Sequence, residues 1–218
     1  VSLIPQDPGN ALNPVKTLGE QVGEVLQLHT SLSKKARTEQ VIALFQSVGL
    51  SHPEQRIYQY PHQLSGGMKQ RVLIAIAMAM KPALIIADEP TSALDVTVQK
   101  RIMTLIDQLR RECGAAVLFV THDLGLATQY ADRLLVFRDG EVVEEGETRT
   151  VVAHPQHEYT RSLLRHLQPT EIVLPSPPRA LSTPDPVIRI RHLSKHFALN
   201  RTHQLTALDD ISLQIDRG

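Results

Sequence analysis

An α/β fold built on a parallel sheet is the architecture that these 218 residues predict, and three observations point to it. Residues 84–87, Leu-Ile-Ile-Ala, form a short apolar run that ends in two acids, Asp88 and Glu89. A strand buried on both faces of a parallel sheet reads this way. Residues 115–120 repeat the pattern and lead into Thr121, His122 and Asp123. Between the two runs, Ile102, Leu105, Ile106 and Leu109 recur at helical spacing, so strand, helix and strand alternate. Ligands of such sheets bind beyond the carboxyl ends of the strands. Asp88, Glu89 and His122 therefore fall on the ligand-facing edge, although a lone histidine is more often structural.

The other elements follow in chain order. Residues 1–8 read as a strand end running into a loop broken by Pro5 and Pro8; on its own, Gln6 is a polar loop residue. Residues 15–54 read as helical. Leu18, Val22, Val25 and Leu26 form one stripe and Val41, Leu44, Phe45 and Val48 another, with Gly49 as a stop and Pro53 as a break. Tyr58, Tyr60, Pro61 and His62 lead into Leu64-Ser65-Gly66-Gly67-Met68, with His62 assigned no chemistry. Residues 67–80 are apolar almost all round beyond Arg71, as a buried helix is. Lys69 and Arg71 suit either a phosphate or a solvated, packing role. Gly114 ends the helix of residues 98–112. A short helix over 123–130 precedes two strands, 133–137 and 141–145, that flank Arg138-Asp139-Gly140, a hairpin signal. A further short helix follows residues 146–148. Residues 170–186 hold Pro175, Pro177, Pro178, Pro184 and Pro186 and read as an extended linker. Residues 187–191 then alternate as a half-exposed strand does, with a second apolar stretch at 207–215.

Chemistry follows from these positions. A carboxylate at a strand end, Asp88, can hold Mg²⁺, usually through water. The neighbouring Glu89 can orient or deprotonate a water. Ser65, Gly66 and Gly67 supply a hydroxyl and unhindered N–H groups where a helix begins, a ready phosphate site. Together they point to nucleoside triphosphate hydrolysis. Composition narrows the class. There are 23 basic and 23 acidic residues, so the formal charge is zero and no broad nucleic-acid footprint is expected. The single Cys113 excludes an internal disulfide framework and reads as a small buried hydrophobe. The most apolar run, residues 72–80, is far short of the roughly 20 residues that span a bilayer. Residues 1–13 show no basic start followed by an apolar core.

In this order and spacing the motifs resemble those of the ABC-type ATPases. Residues 64–68 look like the signature loop, 84–89 like the Walker B strand with Glu89 as catalytic acid, and 92–95, ending in Asp95, like the D-loop. The resemblance implies a P-loop NTPase-like three-layer core with a helical subdomain inserted at about residues 15–80. It makes Gln6 the Q-loop glutamine, which reaches the metal and the attacking water, and His122 the switch histidine at the terminal phosphate. ATP and Mg²⁺ are the implied ligands. Ser65, Gly66, Gly67, Met68 and Asp95 would be nucleotide-binding, and Asp88 with Gln6 would serve the metal. Residues 10–14 and 154–164 narrow the resemblance to the oligopeptide, dipeptide and nickel importers. The usual His-Pro-Tyr-Thr tail is interrupted here by Gln156-His157-Glu158.

No Gly-x-x-x-x-Gly-Lys-Ser/Thr occurs in the sequence. The resemblance therefore makes residues 1–169 the carboxyl part of one ATPase domain (tail 151–169), 170–186 a linker and 187–218 the start of a second domain, with Phe197 placed to stack on adenine. It implies tandem cassettes whose paired domains sandwich ATP, and a chain inactive without the phosphate loops, expected before Val1 and after Gly218. The implied setting is the cytoplasmic face of the inner membrane. The implied partners are membrane permease subunits and a solute-binding protein, with no nucleic acid. A soluble tandem ATPase acting on ribosomes or nucleic acid is the competing class; the neutral charge, the proline-rich linker and the 154–164 tail argue against it.

Overall fold

The computed structural model describes residues 1–92, 94–165, 186–198 and 204–215. It divides into two units, Val1–Gln168 and Pro169–Gly218, each taken by itself here. The proposed linker at 170–186 lies almost wholly outside the described residues, as do Ala93 of the D-loop stretch and the end of the tail.

The first unit starts with strand β1 (Ser2–Ile4), the short helix α1 (Pro8–Ala11), then α2 (Leu18–His29), α3 (Lys34–Ser47) and α4 (Pro53–Arg56). Thr17 and Glu20 form a reciprocal capping box at the start of α2. Gly49 follows the end of α3 with φ at +72°, a left-handed stop that glycine adopts without a Cβ clash. The two apolar stripes meet as expected: Leu18, Val22 and Leu26 are buried with Val41 and Phe45. Helix α5 (Gly66–Met78) is buried nearly all round, from Val72 through Ala75 to Ala77 and Met78. Strand β2 (Leu84–Asp88), helix α6 (Val96–Cys113) and strand β3 (Ala116–Val120) complete the βαβ unit.

The sheet has the order β1-β2-β3, all parallel. Ile4 pairs with Ala87, Ala87 with Phe119 and Asp88 with Val120, so the three strands end level. Ile4, Ile85 and Ala87 face a core shared with α5 and α6, where Ile74, Ala75, Ile102 and Leu105 lie. The other face differs from expectation. β3 is not buried on both sides: Leu118 and Val120 are about half exposed, as is Leu3 in β1. The helices of the core cluster lie on one side only, so the side chains one residue out of phase meet no described layer.

Helix α7 (Leu124–Tyr130) follows, capped by the Asp123 side chain, then strands β4 (Arg133–Arg138) and β5 (Glu141–Glu147), an antiparallel hairpin. Asp139 and Gly140 both take positive φ, as a two-residue hairpin turn requires. Helices α8 (Thr148–Ala153) and α9 (Glu158–Arg165) close the unit. The interrupted tail is tied to the hairpin at its inserted residues: the Glu144 carboxylate accepts from the amides of Gln156 (2.8 Å) and His157 (3.0 Å). The Arg138 guanidinium lies 5.1 Å from the Tyr159 ring centroid. In the second unit, β6 (Ile188–Ala198) and β7 (Gln204–Ile215) form one antiparallel hairpin. β6 is longer than the alternation at 187–191 predicts. It continues past a bulge where His192 and Asp210, both at positive φ, pair at 2.6 Å.

Phe45 is fully buried between α2, α3 and α5. Phe45→Ala should lower the stability of the first unit by about 3–5 kcal/mol, read as the shift in a denaturant-unfolding curve.

Candidate active site

The level strand ends bring three loop residues together. Gln6 lies two positions beyond β1, Glu89 one beyond β2 and His122 two beyond β3. The Gln6 side-chain amide donates from Nε2 to Glu89 Oε2 at 2.8 Å. His122 Nδ1 lies 2.8 Å from the other oxygen, Oε1. The Glu89 carboxylate is thus held from both sides. It is also the more sheltered member, with its side chain 22% exposed against 76% for His122.

Backbone bonds fix the carboxylate's origin. The Glu89 amide donates to Val120 O at 2.9 Å and its carbonyl accepts from Ser92 at 3.0 Å. Glu89 itself takes φ +41°, a left-handed conformation rarely adopted by a residue with a Cβ. Such strain persists only where the surroundings over-determine it. Here the strand ladder ends one residue earlier and the turn to Ser92 begins at once. Ser92 Oγ also donates to the Gln6 carbonyl at 3.3 Å, tying the two loops by backbone as well as side chain.

His122 carries a raised pKa. The hydrogen bond to Glu89 is the first cause and the charge of Glu89 the second; the Asp123 charge adds to them and desolvation opposes them. Because the folded value lies above that of a free imidazole, about 6.5, the charged pair is present at and below that pH. It is lost as pH rises through the raised value.

Asp88, the last residue of β2, is half-buried, and its carboxylate takes no hydrogen bond or ion pair among the described residues. With the amide oxygen of Gln6 it supplies hard oxygen donors, the chemistry that suits Mg²⁺. Among the described residues, His, Cys, Asp and Glu nowhere gather in threes as a protein-only metal cage.

Ser65, Gly66 and Gly67 are not part of this clasp. Ser65 caps α5, its Oγ accepting from the Met68 amide at 3.4 Å. Ser65 and Gly66 are exposed, while Gly67 and Met68 are half-buried. The corner rests on the start of α6, which Asp95 caps by accepting from the Val98 amide at 2.9 Å. A Cβ on Gly67 would come within 2.7 Å of Val98 Cγ1, and one on Gly66 within 3.5 Å of Leu94 Cδ2. Phe197 lies in the second unit, 51% exposed, with the Lys195 ammonium 5.3 Å from its ring centroid.

Residues 1–92 match the ABC transporter family. Among solved structures, the cassette MJ0796 bound to ADP and Pi aligns with a TM-score of 0.59 at 34% identity, covering 68% of this chain and 62% of that one. The cbiO1 protein of Clostridium perfringens, part of a cbiONQ transporter complex, gives 0.61 at 29%, covering 70% and 59%. This chain has the ABC ATPase fold. The dipeptide transport ATP-binding protein DppD of Haemophilus influenzae is 48% identical over 167 residues, 77% of this chain and 51% of that protein. The glutathione import ATP-binding protein GsiA of Escherichia coli K12 is 36% identical over 245 residues, 100% of this chain and 39% of that protein. The chain spans about half the length, or less, of such curated relatives.

Three contacts lay beyond the sequence motifs: Ser92 on Gln6, Val98 beneath Gly67, and Gln99, which donates to Asp123 Oδ2 at 3.3 Å beside His122. Only the apolar period of α6, which includes Val98, hinted at any of them.

Two outcomes check this geometry. Glu89→Gln should return the His122 titration, followed by NMR, toward the free-imidazole value. Gly67→Ala should destabilise the unit by about 1–3 kcal/mol, and adding Val98→Ala should recover much of that loss in the same unfolding assay.

Proposed function

We propose that the chain is part of an ATP-binding, ATP-hydrolysing subunit that powers import of peptides or a similar small solute through an ABC transporter. The observation that carries this reading is the Gln6–Glu89–His122 arrangement at the carboxyl edge of a parallel sheet. The names of the relatives, which act in dipeptide and glutathione import, support the solute class.

Glu89 is the residue that receives a proton from the attacking water. In the resting arrangement each of its oxygens accepts one hydrogen bond, so an approaching water takes a remaining lone pair or exchanges with Gln6 or His122. Protonated, His122 donates from Nδ1 to Glu89, and its second N–H, on Nε2, is free to donate to a phosphate oxygen. Gln6 links that exchange to β1 and to the helices α1 to α4 that follow it. Mg²⁺, held by Asp88 and the Gln6 amide oxygen, would neutralise charge developing on the phosphates. Ser65, Gly66, Gly67 and Met68 face outward to the nucleotide of a paired domain, with Asp95 at their side. Phe197 stacks on adenine in a second domain, in tandem with the first.

The working place is the cytoplasmic face of the inner membrane, against permease subunits that a solute-binding protein supplies. No helix among the described residues is long and apolar enough to cross a membrane.

The 218 residues contain no phosphate loop, so this chain alone should show no tight ATP binding by calorimetry that requires Mg²⁺ and is lost in Asp88→Asn. In a protein that joins these residues to such a loop, Glu89→Gln should preserve ATP binding and lower turnover by roughly 10²–10⁴-fold. Near-normal turnover would remove Glu89 from the chemistry.

A further inference from the structure

The structure holds a second concave feature that neither the clasp nor the Ser65 corner uses. A cleft of about 620 Å³ opens between the end of α3, the side of α5 and one face of α6. Its lining includes Arg71, Lys100 and Arg101, with the hydroxyl residues Ser47, Thr97 and Thr104, and no acid. Three cations gathered without a carboxylate repel one another.

The nearest acids along α6 are already used: Asp95, at its start, accepts from the Val98 amide. Asp107 pairs with Arg110 at 2.9 Å and Arg111 at 2.7 Å. Among the described residues, no ion pair involves Arg71, Lys100 or Arg101. Arg71 donates one Nη1 hydrogen bond to the Val48 carbonyl, which anchors it at the end of α3. Desolvation first, and the Arg101 charge second, lower its pKa. Holding an arginine partly out of water beside another cation is unfavourable unless an anion compensates.

We infer that this cleft binds a phosphate-bearing anion, with Arg71, Lys100 and Arg101 neutralising its charge and the Thr97 hydroxyl donating to its oxygens. Several donors converging on one concavity match a polyvalent, tetrahedral group. The volume lies in the range of small-molecule sites, about 300–1,000 Å³. The inference does not rest on the proposed ATPase reading, because no residue of that machinery lines the cleft.

The test uses the whole 218-residue chain and two probes: sodium tripolyphosphate in solution, followed by calorimetry, and phosphatidylcholine vesicles with and without phosphatidic acid, followed by flotation. Saturable binding to at least one probe is expected. Tripolyphosphate alone identifies a soluble ligand; phosphatidic acid alone identifies a headgroup. Lys100→Gln with Arg101→Gln removes two charge-assisted contacts and should weaken binding about tenfold or more. Thr104→Glu places an acid against the same cations and should abolish binding while raising the melting temperature. Lys34→Gln with Lys35→Gln, on exposed α3 positions, should leave binding unchanged. Absence of saturable binding to both probes, or an equal loss in the Lys34/Lys35 variant, overturns the inference.

Discussion

The level ending of three parallel strands is the constraint on which the site depends. Parallel pairing puts Ile4, Ala87 and Phe119 in one row, and the chain leaves the sheet within two residues on each strand. Side chains far apart in sequence, Gln6, Glu89 and His122, then share one edge without any loop having to reach. A slip of one residue in β2 would turn Glu89 to the other face and break both of its hydrogen bonds. Burial of Ile85 and Ala87 against α5 and α6 holds that register. The apolar pattern of a five-residue strand thus decides where the carboxylate stands.

Glu89 shows the cost of that placement. Its positive φ lets the chain turn sharply toward Pro90 while the carboxylate stays between its two partners. The stretch that follows then starts α6, and the start of α6 supports the Ser65 corner through Val98. One short segment therefore supports both the Glu89 carboxylate and the exposed serine-glycine corner. Displacement at Glu89 and displacement at Ser65 are mechanically related, through a helix capped by Asp95.

Much of this was legible in the sequence because it rests on local signals. The apolar runs at 84–87 and 115–120 mark β2 and β3, the stripe from Ile102 to Leu109 marks α6, Gly49 and Gly114 mark helix ends, and Asp139-Gly140 marks the hairpin. The clasp was legible only in outline. Strand ends predict that Glu89 and His122 share an edge, but which oxygen meets which nitrogen depends on side-chain rotamers. The strain at Glu89 has no signal, since glutamate is not a residue that favours positive φ. The open face of β3 was misread because an unbroken apolar run looks the same whether one or both faces are covered. The Glu144 carboxylate that caps the tail acts across 12 residues of sequence, beyond any local motif. The cationic cleft is likewise assembled from three separate helices.

The tautomer of His122 tests the central contact most directly. A carboxylate only accepts, so a neutral His122 facing Glu89 must carry its proton on Nδ1, the less favoured nitrogen of a free imidazole. Two-bond ¹H–¹⁵N spectra recorded above the His122 titration should show the Nδ1–H form, reverting in Glu89→Gln. An Nε2–H form, unchanged by that substitution, would contradict the clasp and the placement of Glu89 that follows from it.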